Sequence, residues 1–294
     1  MISLRKFLTL VWAWSGPYSV SALAPLSRVP TSIETTRSAS AHSTRRQVLQ
    51  NIASLTVRAT AATAAFSQPT MAVENDNELI DVWFGCGCFW HVQHEFVEAE
   101  RKLLGRSDKE LTARAGYAGG KAGDKDGKVC YHNAARISDY GSLGHAEVVS
   151  LKIPKSSFPD FVAEYTALFN KDGFRPDQLG DKGPEYRNLV GIPGGVDSPL
   201  AKQLIEVSSK TGDKLDFAKG KGDDPDVRAL VFVMDSDMFP FYVAEQYHQF
   251  HDGFNIGENY PNSYNNLAVM LARDGRLGES KCPNGLLGVG VLGI

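Results

Sequence analysis

The chain has 294 residues, 43% of them hydrophobic and 22% charged, with a formal charge of −3. That composition suits a globular protein long enough to bury one substantial core. A slightly negative chain without a densely basic stretch argues against nucleic acid as a partner. Four cysteines, at 86, 88, 130 and 282, are too few to form a disulfide scaffold. They read instead as reactive thiols, metal ligands or core residues.

Residues 1–72 read as an address rather than a fold. They carry seven basic side chains and one acid, Glu34, so a leader charge of +6 within an overall −3 leaves −9 for residues 73–294. Arg5 and Lys6 precede an apolar run at 7–14 and small residues at 21–24, the order of a secretory signal. The run is too short to span a bilayer comfortably, so stable membrane association is not expected. Residues 25–44 are rich in Ser, Thr and Arg, as transit peptides are, and Thr44-Arg45-Arg46 opens a twin-arginine-like stretch. Together these imply a transit peptide for plastid import, the twin-arginine step adding the thylakoid lumen. The alternative is a secreted protein with a disordered pro-region.

From residue 76 to 294 the pattern is one domain. A strand is expected over 78–84 and, after a glycine turn, a helix over 88–104. There Phe89, Phe96 and Leu103 recur at seven-residue spacing, as do Trp90, Val97 and Leu104. Gly105 should end that helix. A strand over 146–153 would place Glu147, Val149, Leu151 and Ile153 on one side. Helices follow over 158–169 and from Ser198-Pro199, where Ser is the cap and Pro the first helical residue. A strongly apolar strand is expected over 226–235 and a helix over 242–250. The tail from Cys282 is glycine-rich and irregular. Interleaved helices and strands make the class α/β (α+β).

Cys88 is the expected nucleophile. A cysteine at a helix start meets unpaired backbone N–H groups and the positive end of the helix dipole. Both favour thiolate, so its pKa is expected below the free value of about 8.5. Phe89 and Trp90 set apolar walls beside it, suited to a small, soft substrate group. A buried structural cysteine is the plainer alternative. No metal site is expected. Cys86, Cys88, His91 and His94 can be drawn as ligands, but Cys-x-Cys is poor zinc spacing.

Five separated motifs carry a family resemblance. They are Gly87-Cys88-Phe89-Trp90, Ala115-Gly116-Tyr117-Ala118-Gly119-Gly120, Gly144-His145-Ala146-Glu147-Val148, Gly180-Asp181-Lys182-Gly183-Pro184-Glu185-Tyr186-Arg187, and Phe241 through Gln249 with Ala244-Glu245-Gln246-Tyr247-His248 inside it. In this order they resemble the A-type peptide methionine sulfoxide reductases, over residues 81 to 250. The resemblance implies a single domain built on a mixed sheet with flanking helices. It implies that Cys88 attacks the sulfoxide sulfur and Glu147 protonates its oxygen. Asp181 and Tyr186 then hold the polar end of the substrate, Phe89 and Trp90 cradle the S-methyl group, and Tyr131 supplies a second hydroxyl. The family places its tyrosine closer to the Gly-His-Ala-Glu element, so residues 133–143 resemble an insertion.

Glu147 is also legible without the family, because a carboxyl on the core side of a strand is desolvated and its pKa rises. A strand-end ion pair is the competing reading. His248 either lines the site or packs in the core.

After attack, a sulfenic acid on Cys88 would condense with a second thiol. Cys282 is the first expectation, since family tails carry resolving cysteines. Cys86 and Cys130 remain alternatives. A thioredoxin-like dithiol would complete the cycle with no cofactor, on oxidised proteins or free methionine sulfoxide, and the enzyme is expected to be a monomer. A thiol peroxidase or redox sensor, and a sulfoxide-binding module that does not recycle, are the competing functions.

Overall fold

A computed structural model of the chain describes residues 77–133, 136–212, 214–252 and 260–282. The leader and the tail beyond Cys282 lie outside the described residues. Among those described, no helix is long and apolar enough to cross a membrane.

Seven strands form one mixed sheet. They are β1 (Leu79–Gly85), β2 (Arg114–Ala118), β3 (Ala146–Pro154), β4 (Leu189–Ile192), β5 (Asp216–Lys219), β6 (Leu230–Asp235) and β7 (Tyr242–Val243), in the order β5-β6-β4-β1-β3-β2-β7. Pairs β1–β3, β1–β4, β2–β3 and β2–β7 are antiparallel, whereas β4–β6 and β5–β6 are parallel. The described helices are α1 (Phe89–Leu104), α2 (Phe158–Ala167), α3 (Pro199–Lys210) and α4 (Asn262–Arg273). The α/β reading and the mixed sheet with flanking helices hold.

Strand alternation sorts side chains between two cores. Val82 and Phe84 of β1 join Val149, Leu151 and Ile153 of β3 in the larger core, under α1 and α2. Trp83, Ala146 and Val148 face the smaller core with Leu189, Phe232 and Met234. Glu147 lies on the same side of β3 as Val149. It stands opposite Tyr117 in the β2–β3 register, so both point to the α1 side. Helix α1 anchors that side with Phe89, Val92, Phe96 and Val97 buried. Full burial of one such side chain is worth about 1.5–3 kcal/mol.

Two expected elements differ. Residues 242–250 are not a helix: Tyr242–Val243 is a short edge strand against β2, and Gln246–His248 a single 3-10 turn. The reason is a polar network. The Gln249 side chain accepts from Ala115 N–H at 3.0 Å and donates to Ala115 and Ala244 carbonyls at 2.8 and 3.1 Å. Extended backbone satisfied this way outweighs helix propensity. The strand expected over 226–235 begins only at Leu230, because Asp226 is drawn to Arg175 and to the Gly183 N–H, and Ala229 takes a positive φ of 61°. Strands β2, β4 and β5 and helix α4 were not anticipated.

Candidate active site

Cys88 is the N-cap of α1, and the first-turn donors of that helix can each be traced. Its own N–H donates to Gln178 Oε1, and its carbonyl accepts from Gln178 Nε2 at 3.4 Å. Phe89 N–H donates to Glu147 Oε2 at 3.0 Å. The Trp90 and His91 N–H groups point to the Cys88 sulfur. All are donors that a helix start leaves without an intrahelical partner. Gly87 lets the chain turn here with φ at 85°, where a side chain would strike Gln178, and its N–H donates to the Tyr186 carbonyl at 3.0 Å. That bond ties the Tyr186 loop to the cysteine turn.

The expected lowering of the Cys88 pKa is not what this turn produces. The thiol is pushed well up, first by burial and then by the charges of Glu147 and Asp181, against the Trp90 and His91 N–H groups. Desolvation beside an acid outweighs two amide dipoles. Cys86, fully buried, is also pushed up, to about 12, by the same loss of solvent. It packs in the larger core as a free thiol.

Glu147 is 1% exposed. Burial raises its pKa to about 8, even though Phe89 N–H, the Tyr140 hydroxyl and the Cys88 thiol all hydrogen-bond the carboxyl and lower it. The Tyr140 hydroxyl lies 3.2 Å from Glu147 Oε1 and also hydrogen-bonds Tyr186. At neutral pH the carboxyl therefore keeps a proton, against the Tyr140 hydroxyl and within reach of the thiol. A protonated Glu147 also removes its own electrostatic push on Cys88.

Phe89 is buried and Trp90 half-buried at the helix start. His248 is buried among Tyr131, Phe89 and Trp90 at ring separations of 4.2, 5.3 and 5.8 Å. Burial takes its pKa down to about 3, so it is a neutral aromatic wall. Trp90 stacks on His251 at 3.9 Å. Tyr131 stacks on Tyr140 at 5.7 Å, and burial and the charge of Glu147 raise its pKa. Asp181 is half-buried, with its pKa raised by burial.

Arg187, fully buried, staples the loops of three motifs. It donates to the carbonyls of Pro184 at 2.6 Å and of Gly119 and Gly144 at 3.0 Å each. His145 holds the same junction: its Nδ1 accepts from Gly120 N–H at 3.1 Å and its Nε2 meets the Ala122 carbonyl at 3.0 Å. These motif residues position the site without entering it.

The structure thus gathers Cys88, Glu147, Phe89, Trp90, Tyr131, Asp181 and Tyr186 around one helix start. Cys282 is not among them. Its sulfur is bonded to Cys130, with 5.7 Å between Cα atoms, and Cys88 is a free thiol. Two residues were missed. Tyr140 lies in the stretch read as an insertion, yet it is the tyrosine closer to Gly-His-Ala-Glu. That proximity was the available signal. Gln178 precedes the Gly-Asp motif and carries no sequence signal of its own.

No protein-family model matches the chain. Among curated proteins, the peptide methionine sulfoxide reductase MsrA of Pseudomonas aeruginosa is 29% identical over 175 residues, covering 58% of this chain and 67% of the relative. The MsrA of Campylobacter jejuni is 27% identical over 183 residues, covering 61% of this chain and 90% of the relative. Among solved structures, reduced Mxr1 from Saccharomyces cerevisiae aligns over 62% of this chain and 92% of its own, at 23% identity and a TM-score of 0.39. The site thus sets a thiol at a helix start against a protonated carboxyl and a tyrosine cluster. At 27–29% identity over about three fifths of its length, the chain is similar to these MsrA peptide methionine sulfoxide reductases, which supports an MsrA-type family.

Proposed function

We propose that this methionine sulfoxide reductase acts on the S epimer, free or in proteins, through Cys88 and Glu147. The observation that carries the reading is a carboxyl with its pKa near 8, hydrogen-bonded to the nucleophilic thiol and to Tyr140. A proton held at neutral pH beside the sulfur is what a sulfoxide oxygen needs. Glu147 gives that proton to the oxygen, and the Cys88 thiol proton replaces it on the carboxylate as the sulfur attacks. Oxygen passes from the substrate sulfur, reduced to methionine, to Cys88, oxidised to sulfenic acid. Phe89, Trp90 and His248 keep water away and face the S-methyl group, while Tyr131, Asp181 and Tyr186 orient the polar end.

The sulfenic acid then condenses with a thiol of the Cys130/Cys282 pair, releasing water, and exchange leaves a Cys130–Cys282 disulfide with Cys88 free. The observed bonding supports that end state. A thioredoxin-like dithiol reduces it. The Ser-, Thr- and Arg-rich leader supports plastid delivery, which mass spectrometry of the mature N-terminus would check.

The assay is direct. Full-length protein with dithiothreitol is given each epimer of dabsylated methionine sulfoxide, and hydrogen peroxide in parallel. Turnover of the S epimer is expected. Rapid peroxide consumption without sulfoxide turnover would replace this reading with a thiol peroxidase.

A further inference from the structure

The Cys130–Cys282 pair has a third neighbour that the sulfoxide chemistry leaves unused. One carboxylate oxygen of Glu245 and the two sulfurs all lie within 4.8 Å of one another, and Cys130 and Glu245 are buried. Glu245 is already oriented. Its Oε2 accepts from the Tyr117 hydroxyl at 2.8 Å and its Oε1 from Tyr131 N–H at 2.9 Å. Each oxygen keeps a lone pair for another partner. The Val129 and Ser280 carbonyl oxygens approach the Cys282 sulfur at 3.4 Å each. Among the described residues no Lys or Arg forms an ion pair with Glu245. The two sulfurs of the disulfide, a carboxylate and two carbonyl dipoles therefore converge on one point.

We propose that the reduced Cys130/Cys282 pair and Glu245 form a binding site for a soft divalent cation of the zinc type. Two electrons from a dithiol or phosphine reductant open the disulfide to two thiols. The metal then displaces their two protons and binds two thiolates, one carboxylate oxygen and a water. Zinc–sulfur bonds of about 2.3 Å in a tetrahedron place the sulfurs about 3.8 Å apart. A Cα separation of 5.7 Å accommodates that spacing by side-chain rotation. The hydrogen bonds from Tyr117 and Tyr131 are the outer partners that fix a ligating carboxylate. Soft thiolates select zinc over magnesium or calcium. The site exists only in the dithiol state, because disulfide formation consumes both thiolate ligands and expels the metal.

The cation would sit against the catalytic pocket. Cys130 N–H donates to the Ser138 carbonyl at 2.7 Å, its own carbonyl accepts from Tyr140 N–H at 2.8 Å, and Tyr131 follows it directly. Metal at Cys130 therefore pins the segment carrying both tyrosines and withholds the two thiols from exchange. This site is separate from the Cys86, Cys88, His91 and His94 set weighed in the sequence. It stands or falls apart from the reductase reading, since metal content needs no sulfoxide.

The test uses the full chain. Protein reduced with tris(2-carboxyethyl)phosphine, incubated with Zn²⁺ and desalted, is measured for zinc by plasma mass spectrometry, beside the diamide-oxidised form. One zinc per reduced chain and none per oxidised chain is expected. Co²⁺ in place of zinc should give thiolate-to-cobalt absorption in the near ultraviolet that disappears on oxidation, a readout on the unaltered protein. Cys282→Ser and Glu245→Gln should each weaken zinc binding at least about tenfold in competition with a chromophoric chelator. Cys86→Ser and Cys88→Ser should leave it unchanged. Zinc retained after oxidation, zinc retained in Cys130→Ser/Cys282→Ser, or cobalt without thiolate absorption would each overturn the proposal.

Discussion

Cys88 stands where a strand gives way to a helix, whereas Cys130 and Cys282 stand on irregular segments 152 residues apart in sequence. The first is held by regular structure on both sides: β1 before it, α1 after it, and Gln178 clamping its backbone. The second pair is held by turns and by its own bond. Cys88 is a free thiol whose proton is kept chiefly by burial, and the other two are already oxidised. Chemistry that must meet a substrate atom within a fraction of an ångström belongs on the rigid site.

Replacing Cys88 with Ser is the largest expected break in this contrast. Sulfoxide turnover should fall at least about 1,000-fold, because the nucleophile is lost. The Cys130–Cys282 disulfide should still form on oxidation, which non-reducing peptide mapping would show. Glu147→Gln comes next, lowering kcat by about 10²–10⁴-fold, the range for a general acid. The pH profile carries the sign. Glu147 holds its proton below about 8 and loses it as pH rises through that value, so wild-type kcat should decline on the alkaline side. The variant should lack that decline; an identical decline would assign it to another group.

Tyr140→Phe should lower kcat about tenfold, the worth of one hydrogen bond to an acidic group. The Tyr140 hydroxyl lowers the Glu147 pKa, so its loss should move the alkaline decline upward. A downward move would contradict the geometry. Cys282→Ser should act on the second region alone. Single-turnover reduction stays unchanged, multiple turnover with a dithiol protein slows, and the oxidised protein loses about 2–4 kcal/mol in denaturant unfolding. A matching loss in single turnover would dissolve the distinction between the two thiol regions.

Much of the rigid region was legible. The strand before Gly85, the seven-residue apolar spacing of α1 and the left-handed Gly105 at its end all follow from local pattern. The desolvated position of Glu147 followed from alternation on β3. Legibility failed where partners lie far along the chain. Strand β2, Arg-Ala-Gly-Tyr-Ala, has weak β propensity and exists because β3 and β7 flank it. The stretch 242–250 looked helical because nothing local reveals that Gln249 binds Ala115. Tyr140 was passed over because its hydroxyl meets Glu147 only after the chain folds back on Cys130.

By itself the sequence determined the strand–turn–helix setting of Cys88, the core face of β3 and the five motifs, because these depend on neighbours within a few residues. Only tertiary structure decided the direction of the Cys88 pKa, the proton on Glu147 and the pairing of Cys130 with Cys282. Each of those depends on which distant groups share a small volume from which water is excluded, and residue spacing does not encode that.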